Sequence, residues 1–416
     1  MDFAILGFGN RGQMFADFIA EDKDARLVAV CDVSAAARLA AKEKYKAENI
    51  YYDAELFFAA GKQTDALFIC TQDRDHKAHA VAAMKAGYDI CLEKPVATTW
   101  EDCLEIYRVQ KETGRKVMVC HVLRYSHFYA AVREVIRSGR IGQPVTFNQT
   151  ENVGYWHDAH SYVRGAWRNR AESCPMILAK CSHDLDILTW LAGKRCVSAS
   201  SYGSLYYFRR ENAPKGSTAY CTDCPAEVRA DCPYDAYKIY LDIYKAYNPV
   251  LGNMFIEKGT REETIKQILD ERGAFSRCVF RCDNDVVDHQ VVNMLLEDGV
   301  TAHLTMTAFS KDCHRTLAVH GTLGEIFGDM EENKIYLRSF NASDEIIDLT
   351  ERFDDFSVHG GGDKALYYDF KQYLSGGENT YTRTTLQDSL AAHEIAFVAE
   401  SSRLAEGEAK KLTWEI

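Results

Sequence analysis

The first thirty-two residues constrain this chain more than any other stretch. "FAILGFGNRGQMFADFI" is a short apolar run, a glycine turn and a segment with helical hydrophobic spacing. The turn reads Gly7-x-Gly9-x-x-Gly12. Gly7 suits a tight turn, Gly9 lets the backbone approach a pyrophosphate, and Gly12 lets the helix sit close to the strand. A helix N-terminus there favours phosphate charge. "RLVAVCD" then supplies a second strand ending in Asp32, twenty residues after Gly12. An acid at that place accepts from ribose hydroxyls and repels a 2′-phosphate, so NAD is expected rather than NADP.

The alternation continues. "YYDAELFFAA" reads as a short helix, "DALFICTQ" as a strand, "DHKAHAVAAMKAGY" as a helix and "DICLEKP" as a strand. "WEDCLEIYRVQKETG" is a further helix and "RKVMVCHV" a further strand. Strands alternating with helices imply a parallel sheet, with ligands beyond the carboxyl ends of its strands. Thr71-Gln72, Glu93-Lys94-Pro95 and His121 fall at such ends.

After "HVLRYSHFYAAVREVIRSGRIGQP" the pattern changes. "VTFNQTENVGY", "SRCVFRCDNDVVDHQVVNMLLEDG", "VTAHLTMTAF", "TLAVHGTLGEIFGD" and "NKIYLRSF" alternate polar and apolar residues, as antiparallel strands with one wet face do. "TTLQDSLAAHEIAFVAESSRL" reads as a closing helix. At 416 residues the chain is long enough for two domains. A net charge of −12 argues against nucleic acid as a partner. No apolar run reaches membrane-spanning length, and "MDFAILGFG" has neither a basic n-region nor a cleavage site, so a cytoplasmic location is expected.

"CLEKPVATT", together with "GFGNRG", "CTQDRDH" and "HDLD", resembles the glucose–fructose oxidoreductase and inositol dehydrogenase (Gfo/Idh/MocA) family over most of the chain. The resemblance implies an α/β fold: a Rossmann domain over residues 1–123 and a C-terminal α/β domain over 124–416, built on a large open, mainly antiparallel sheet. It implies a nicotinamide cofactor, a sugar or polyol substrate, and a homo-oligomer formed through the C-terminal sheet. Lys94 then lies beside the nicotinamide and the reacting hydroxyl, where an ammonium stabilises developing negative charge. Pro95 would follow an unusual turn that admits a cis bond. The cofactor set expected is Gly7, Gly9, Asn10, Arg11, Gly12, Asp32, Thr71, Gln72, His76, Glu93, Lys94, Arg124 and Trp167.

"MILAKCSHDLDILTWL" raises a separate question: an apolar helix that begins with Lys180 and His183, three apart and therefore on one side. By the resemblance His183 meets the substrate hydroxyl and can take its proton as hydride leaves the same carbon, with Asp186 at the family's later acidic position. Inositol dehydrogenase-like members carry an aspartate four residues before that histidine, where this chain has Ala179. Lys180 is expected to stand in, binding a substrate hydroxyl or lowering the proton affinity of His183.

"VGYWHDAHSYVRGAWRNR" packs aromatics, two histidines and three arginines into residues 153–170. Sugar sites combine aromatic faces with polar hydrogen-bonders, so Tyr155, His157, His160, Arg164 and Trp167 are candidates, with His289 on a later strand. Within an insertion spanning about 205–275, Cys221-x-x-Cys224 and Cys232 have the spacing of a structural zinc site, with Cys278 or Cys282 as a further donor. Free thiols in a loop-rich excursion are the other reading. Functionally, an NAD-dependent dehydrogenase of a sugar, polyol or glycoside is expected. A redox-assisted glycosidase, which oxidises, eliminates and re-reduces with no net NAD consumption, is the alternative, and a cofactor-holding sensor is a third.

Overall fold

The computed structural model describes residues 1–243, 260–353, 357–378 and 380–413. Two sheets organise it. The first contains β1 (Asp2–Leu6), β2 (Arg26–Cys31), β3 (Asn49–Tyr51), β4 (Ala66–Ile69), β5 (Asp89–Leu92) and β6 (Val117–Val119), in the order β3-β2-β1-β4-β5-β6. Every pairing in it is parallel. Helices cover both of its faces, so β1 and β4 read as continuous apolar runs rather than as alternations. The strand order reverses between β1 and β4, which opens a ligand crevice at their carboxyl ends.

The second sheet has nine strands. They are β7 (Pro144–Gly154), β8 (Cys196–Ser204), β9 (His289–Leu296), β10 (Thr301–Ser310), β11 (His314–Gly321), β12 (Gly324–Asp329), β13 (Lys334–Ser339), β14 (Glu345–Asp348) and β15 (Lys410–Lys411). They lie in the order β14-β13-β12-β11-β7-β10-β9-β8-β15, antiparallel except for β10 on β7. Phe147, Val153, Val292, Leu304, Leu317 and Ile335 bury one face against the helices His127–Arg137, Ser182–Ala192 and Leu386–Leu404. The other face carries Thr146, Asn148, Thr150, Thr305 and Thr316, half-buried or exposed, the alternation expected of a one-sided sheet.

The chain departs from the sequence expectation in three places. The stretch from Ser276 to Asp288 forms tight turns, and only His289–Leu296 of that segment is strand. The helix Leu386–Leu404 is followed by β15 and does not close the fold. The helix Gly362–Leu374 returns to the first sheet, where Tyr367 and Phe370 pack with Phe3 and Phe68. Burying side chains of that size stabilises by roughly 1.5–3 kcal/mol each, so the late helix completes the core of the early sheet. No helix among the described residues is long and apolar enough to cross a membrane.

Candidate active site

The glycine turn connects β1 to the helix Asn10–Glu21. Gly7 has φ of +88°, and a Cβ there would stand 2.5 Å from the Cys70 carbonyl oxygen, so only glycine fits. A Cβ at Gly12 would collide with the Gly7 carbonyl. At Gly9, by contrast, a Cβ would meet nothing within 4 Å, and that opening exposes backbone for a diphosphate. Asp32 Oδ2 accepts from Phe8 N–H at 2.6 Å and Oδ1 from Ser34 N–H at 2.7 Å. A carboxylate has about four acceptor sites, so Asp32 anchors the turn and can still receive ribose hydroxyls. These residues fit a dinucleotide.

A cleft of about 380 Å³ lies beyond the carboxyl ends of β1, β4, β5 and β6, in the size range of small-molecule sites. The first domain lines it with Gly9, Asn10, Arg11, Thr71, Gln72, Asp73, His76, Glu93 and Lys94, and the second with His157, Tyr162, Trp167, Lys180, His183, Arg315 and His359. The Lys94–Pro95 bond is cis. Lys94 Nζ donates to the Ala179 carbonyl at 2.7 Å. Burial, then the nearby Lys180 ammonium, hold Lys94 below the ordinary lysine range. Arg11 joins Glu93 (Nε to Oε1, 2.5 Å) to Asp363 (Nη1 to Oδ1, 2.7 Å), and His359 Nδ1 bonds Asp363 at 2.8 Å. Burial opposes ionisation of Asp363, but Arg11 and His359 overcome it and pull its carboxyl down to about 2.

Lys180 sits at a break between two helices, Met176–Ala179 and Ser182–Ala192. Its ammonium lies 3.3 Å from Glu151, whose charge keeps it protonated above the ordinary range despite burial. His183 is buried and stays neutral far below the ordinary imidazole value. The causes are burial first, then Lys94 and His121; Lys180 is not among the main ones. The expected action of Lys180 on His183 therefore passes to Lys94, and Lys180 acts instead on Lys94 and on His157, which burial also holds neutral.

Several sequence candidates lie outside the cleft lining. Arg124 turns inward and clasps Asp186 with Nε and Nη2 at 2.7 and 2.5 Å. Its cation is satisfied there, outside the cleft lining. His160 bonds Tyr240 and stacks on Phe275, and burial lowers it to about 3. Arg164 donates to the carbonyls of Arg277 and Tyr234, both at 2.7 Å. Tyr155 packs edge-on against Tyr234. His289 bonds Asp288 at the surface. Tyr155, His160 and Arg164 thus brace the insertion rather than the cleft. His76 is fixed by the carbonyls of Pro95 and Thr71, and Trp167 Nε1 donates to Asp73 at 2.7 Å, linking the domains across the cleft.

The zinc expectation is not supported. Cys221, Cys224, Cys232 and Cys278 share the lining of a cavity of about 20 Å³. Yet among the described residues no three His, Cys, Asp or Glu side chains are grouped to hold a metal. The Arg164 guanidinium lies 3.7 Å from Cys221 Sγ, a cation where a dication would need open space. Part of the insertion, 244–259, lies outside the described residues.

Sequence reading missed Glu151, Arg315 and the His359–Asp363 pair. Glu151 shares strand parity with Phe147 and Val153, and Arg315 with Leu317 and Val319. A charge at a core-facing position of an alternating strand is the signal that marks both.

A switch-point sheet with an open glycine turn, facing a lysine–histidine cleft roofed by a second domain, defines a dinucleotide-binding oxidoreductase of two-domain type. The chain belongs to the oxidoreductase family with an NAD-binding Rossmann fold (residues 1–121) and a C-terminal alpha/beta domain (residues 133–402), the GFO_IDH_MocA family. It is 23% identical to the protein YteT of Bacillus subtilis (strain 168) over 321 residues, 73% of this chain and 71% of that one. It is 28% identical to inositol 2-dehydrogenase of Pseudomonas savastanoi pv. phaseolicola over 227 residues, 52% of this chain and 63% of that one. Its fold matches the WlbA dehydrogenase of Chromobacterium violaceum, solved with NADH and UDP-GlcNAcA, with TM-score 0.69 and 17% identity over 100% of this chain and 97% of that one.

Proposed function

We propose that this protein oxidises and reduces a hydroxyl-bearing carbon of a sugar or polyol with NAD(H). One observation carries the reading: Lys94 and a neutral His183 line a single cleft that also reaches the open glycine turn. When bound, NAD accepts or returns hydride at its nicotinamide ring. Gly7, Gly9, Gly12, Asn10 and Arg11 cradle the dinucleotide, Asp32 takes the ribose hydroxyls, and Thr71, Gln72, Glu93 and His76 shape the nicotinamide end. His183 accepts the hydroxyl proton as the carbon is oxidised and returns it on reduction. The Lys94 ammonium stabilises charge on the reacting oxygen. His157, Lys180 and Tyr162 contact the remaining hydroxyls.

Net hydrolysis by oxidation, elimination and re-reduction is the second reading. It needs another base beside the ketone, and His157 in the cleft favours it, whereas His160 and His289 do not. Incubating the protein with NAD⁺ and a panel of sugars, polyols and aryl glycosides, while following NADH absorbance and aglycone release, tests both. NADH formation supports the first reading, and aglycone release without net NADH supports the second. A cytoplasmic location, a division into a cofactor unit (1–123) and a substrate unit (124–416), and pairing of copies through the threonine-lined face of the large sheet complete the proposal.

A further inference from the structure

The floor of the cleft holds two cations arranged for more than hydroxyl binding. Arg315 on β11 and Glu151 on β7 stand directly opposite each other in antiparallel register. Arg315 Nη2 meets Glu151 Oε2 at 2.6 Å, and its Nε meets Asp184 Oδ1 at 2.9 Å. Asp184 is in turn held by Gln149 Nε2 at 2.5 Å. Asp184 thus holds the guanidinium by a hydrogen bond and Glu151 by charge, and Nη1 makes no hydrogen bond among the described residues. On the other side of Glu151, Lys180 Nζ lies 3.3 Å from Oε1.

The layering gives this cluster a direction. Side-chain exposure is 16% for Lys180 and 9% for Arg315, against 1% for Glu151 and 0% for Asp184. Both cations line the cleft and both carboxylates stand behind them. A ligand at this wall of the cleft therefore meets positive charge first, in a protein whose net charge is −12, while the lining carboxylates Glu93 and Asp73 are engaged by Arg11 and Trp167. Lys94 lines the same wall, and among the described residues no carboxylate bonds its ammonium. A neutral sugar would leave this field unused. Preorganised cations in a partly desolvated site strongly favour an anion.

We propose that Lys180 and Arg315 form a carboxylate-binding subsite, so that the substrate of this dehydrogenase is a sugar or polyol acid. The inference rests on the reading of the cleft as the oxidoreductase site. Lys180, Arg315 and Lys94 together set three positive charges against Glu151 and Asp184, so the surplus is a single charge, which matches a carboxylate better than a phosphate dianion. The carboxylate accepts from Lys180 Nζ and Arg315 Nη1, and the reacting hydroxyl then falls toward Lys94 and His183.

The test is calorimetric titration of the full chain, with and without NADH, using the pairs glucuronate/glucose and galacturonate/galactose, together with glucose 6-phosphate. The expected result is that one acid binds at least about 10-fold tighter than its neutral partner, the scale of a charge-assisted contact. That preference should vanish in Lys180→Met and shrink in Arg315→Lys, which keeps the charge but loses the fork. Equal or tighter binding of both neutral sugars, a preference unchanged in Lys180→Met, tighter binding of the phosphate ester, or no binding of any compound would each overturn it. Failure of NADH itself to bind, read by its fluorescence, would instead strike the oxidoreductase reading. The acid preference would remain measurable on the cofactor-free protein.

Discussion

Lys94 Nζ donates a 2.7 Å hydrogen bond to the backbone carbonyl of Ala179, so this lysine of the first domain is held by the residue that precedes Lys180. An aspartate side chain is not needed to position Lys94, because a main-chain oxygen does it. The same contact brings a second ammonium close enough to lower the proton affinity of the first. Lys180, beside Ala179, thus changes the electrostatics of Lys94 rather than those of His183.

Turnover should depend on both residues that we propose act at the reacting carbon. Lys94→Met and His183→Ala are each expected to lower kcat by at least about 10²-fold, the size of a lost general acid–base or charge-stabilising group. NADH binding, measured by fluorescence, should persist in both. Near-normal kcat in either variant would remove that residue from the chemistry.

The pH profile follows from the two perturbed groups. His183 must be neutral to accept a proton, and its proton affinity lies far below the ordinary imidazole value, so oxidation should continue at pH values where a solvent-exposed histidine is already charged. Lys94 must be charged, and its pKa is lowered, so activity should fall on the alkaline side earlier than an ordinary lysine would dictate. Removing the Lys180 charge raises Lys94 toward its ordinary value. Lys180→Met is therefore expected to move the alkaline limb to higher pH and leave the acid limb in place, as a kcat–pH profile would show. A shift of the acid limb alone would contradict this assignment.

Cofactor choice rests on Asp32. Wild-type protein should bind NADH more tightly than NADPH, and Asp32→Ala should narrow the difference. Because Asp32 also accepts from Phe8 N–H, the variant should lose NADH affinity as well. Equal affinity of the wild type for both cofactors would exclude this role.

Arg124 separates structure from function. Its fork to Asp186 is buried, and removing one partner of such a pair costs about 3–5 kcal/mol. Arg124→Met should lower the thermal midpoint clearly while leaving the NADH affinity of the folded fraction close to wild type, since Arg124 does not line the cleft. A large loss of NADH affinity at unchanged stability would place it at the cofactor after all.

What could be read in the sequence was whatever chemistry needs at short range. Gly7, Gly12 and Asp32 are legible because the turn tolerates few alternatives, and Glu93-Lys94-Pro95 because it ends a strand at the ligand side of a parallel sheet. Residues 153–170 divide, with His157 and Trp167 in the cleft lining while Tyr155, His160 and Arg164 face the insertion, because a buried arginine satisfied by carbonyls carries the same composition as a sugar site. Arg164 spends two of its donors on main-chain oxygens of the insertion. Arg315 and Glu151 are distant in sequence and meet only through strand register, which no local pattern specifies. His359 reaches the cleft just before the helix Gly362–Leu374, whose docking on the first sheet is a long-range event of the same kind.

The central claim is that Lys94 and His183 serve hydride exchange between NAD(H) and a hydroxyl carbon. The most direct measurement is NADH absorbance when wild type and Lys94→Met, each shown to bind NADH, are mixed with NAD⁺ and a panel of sugars, polyols and their acids. The account predicts NADH formation by the wild type with at least one compound, and at least about 10²-fold slower formation by the variant. Absence of NADH formation with every compound, or equal rates in the two proteins, would contradict it.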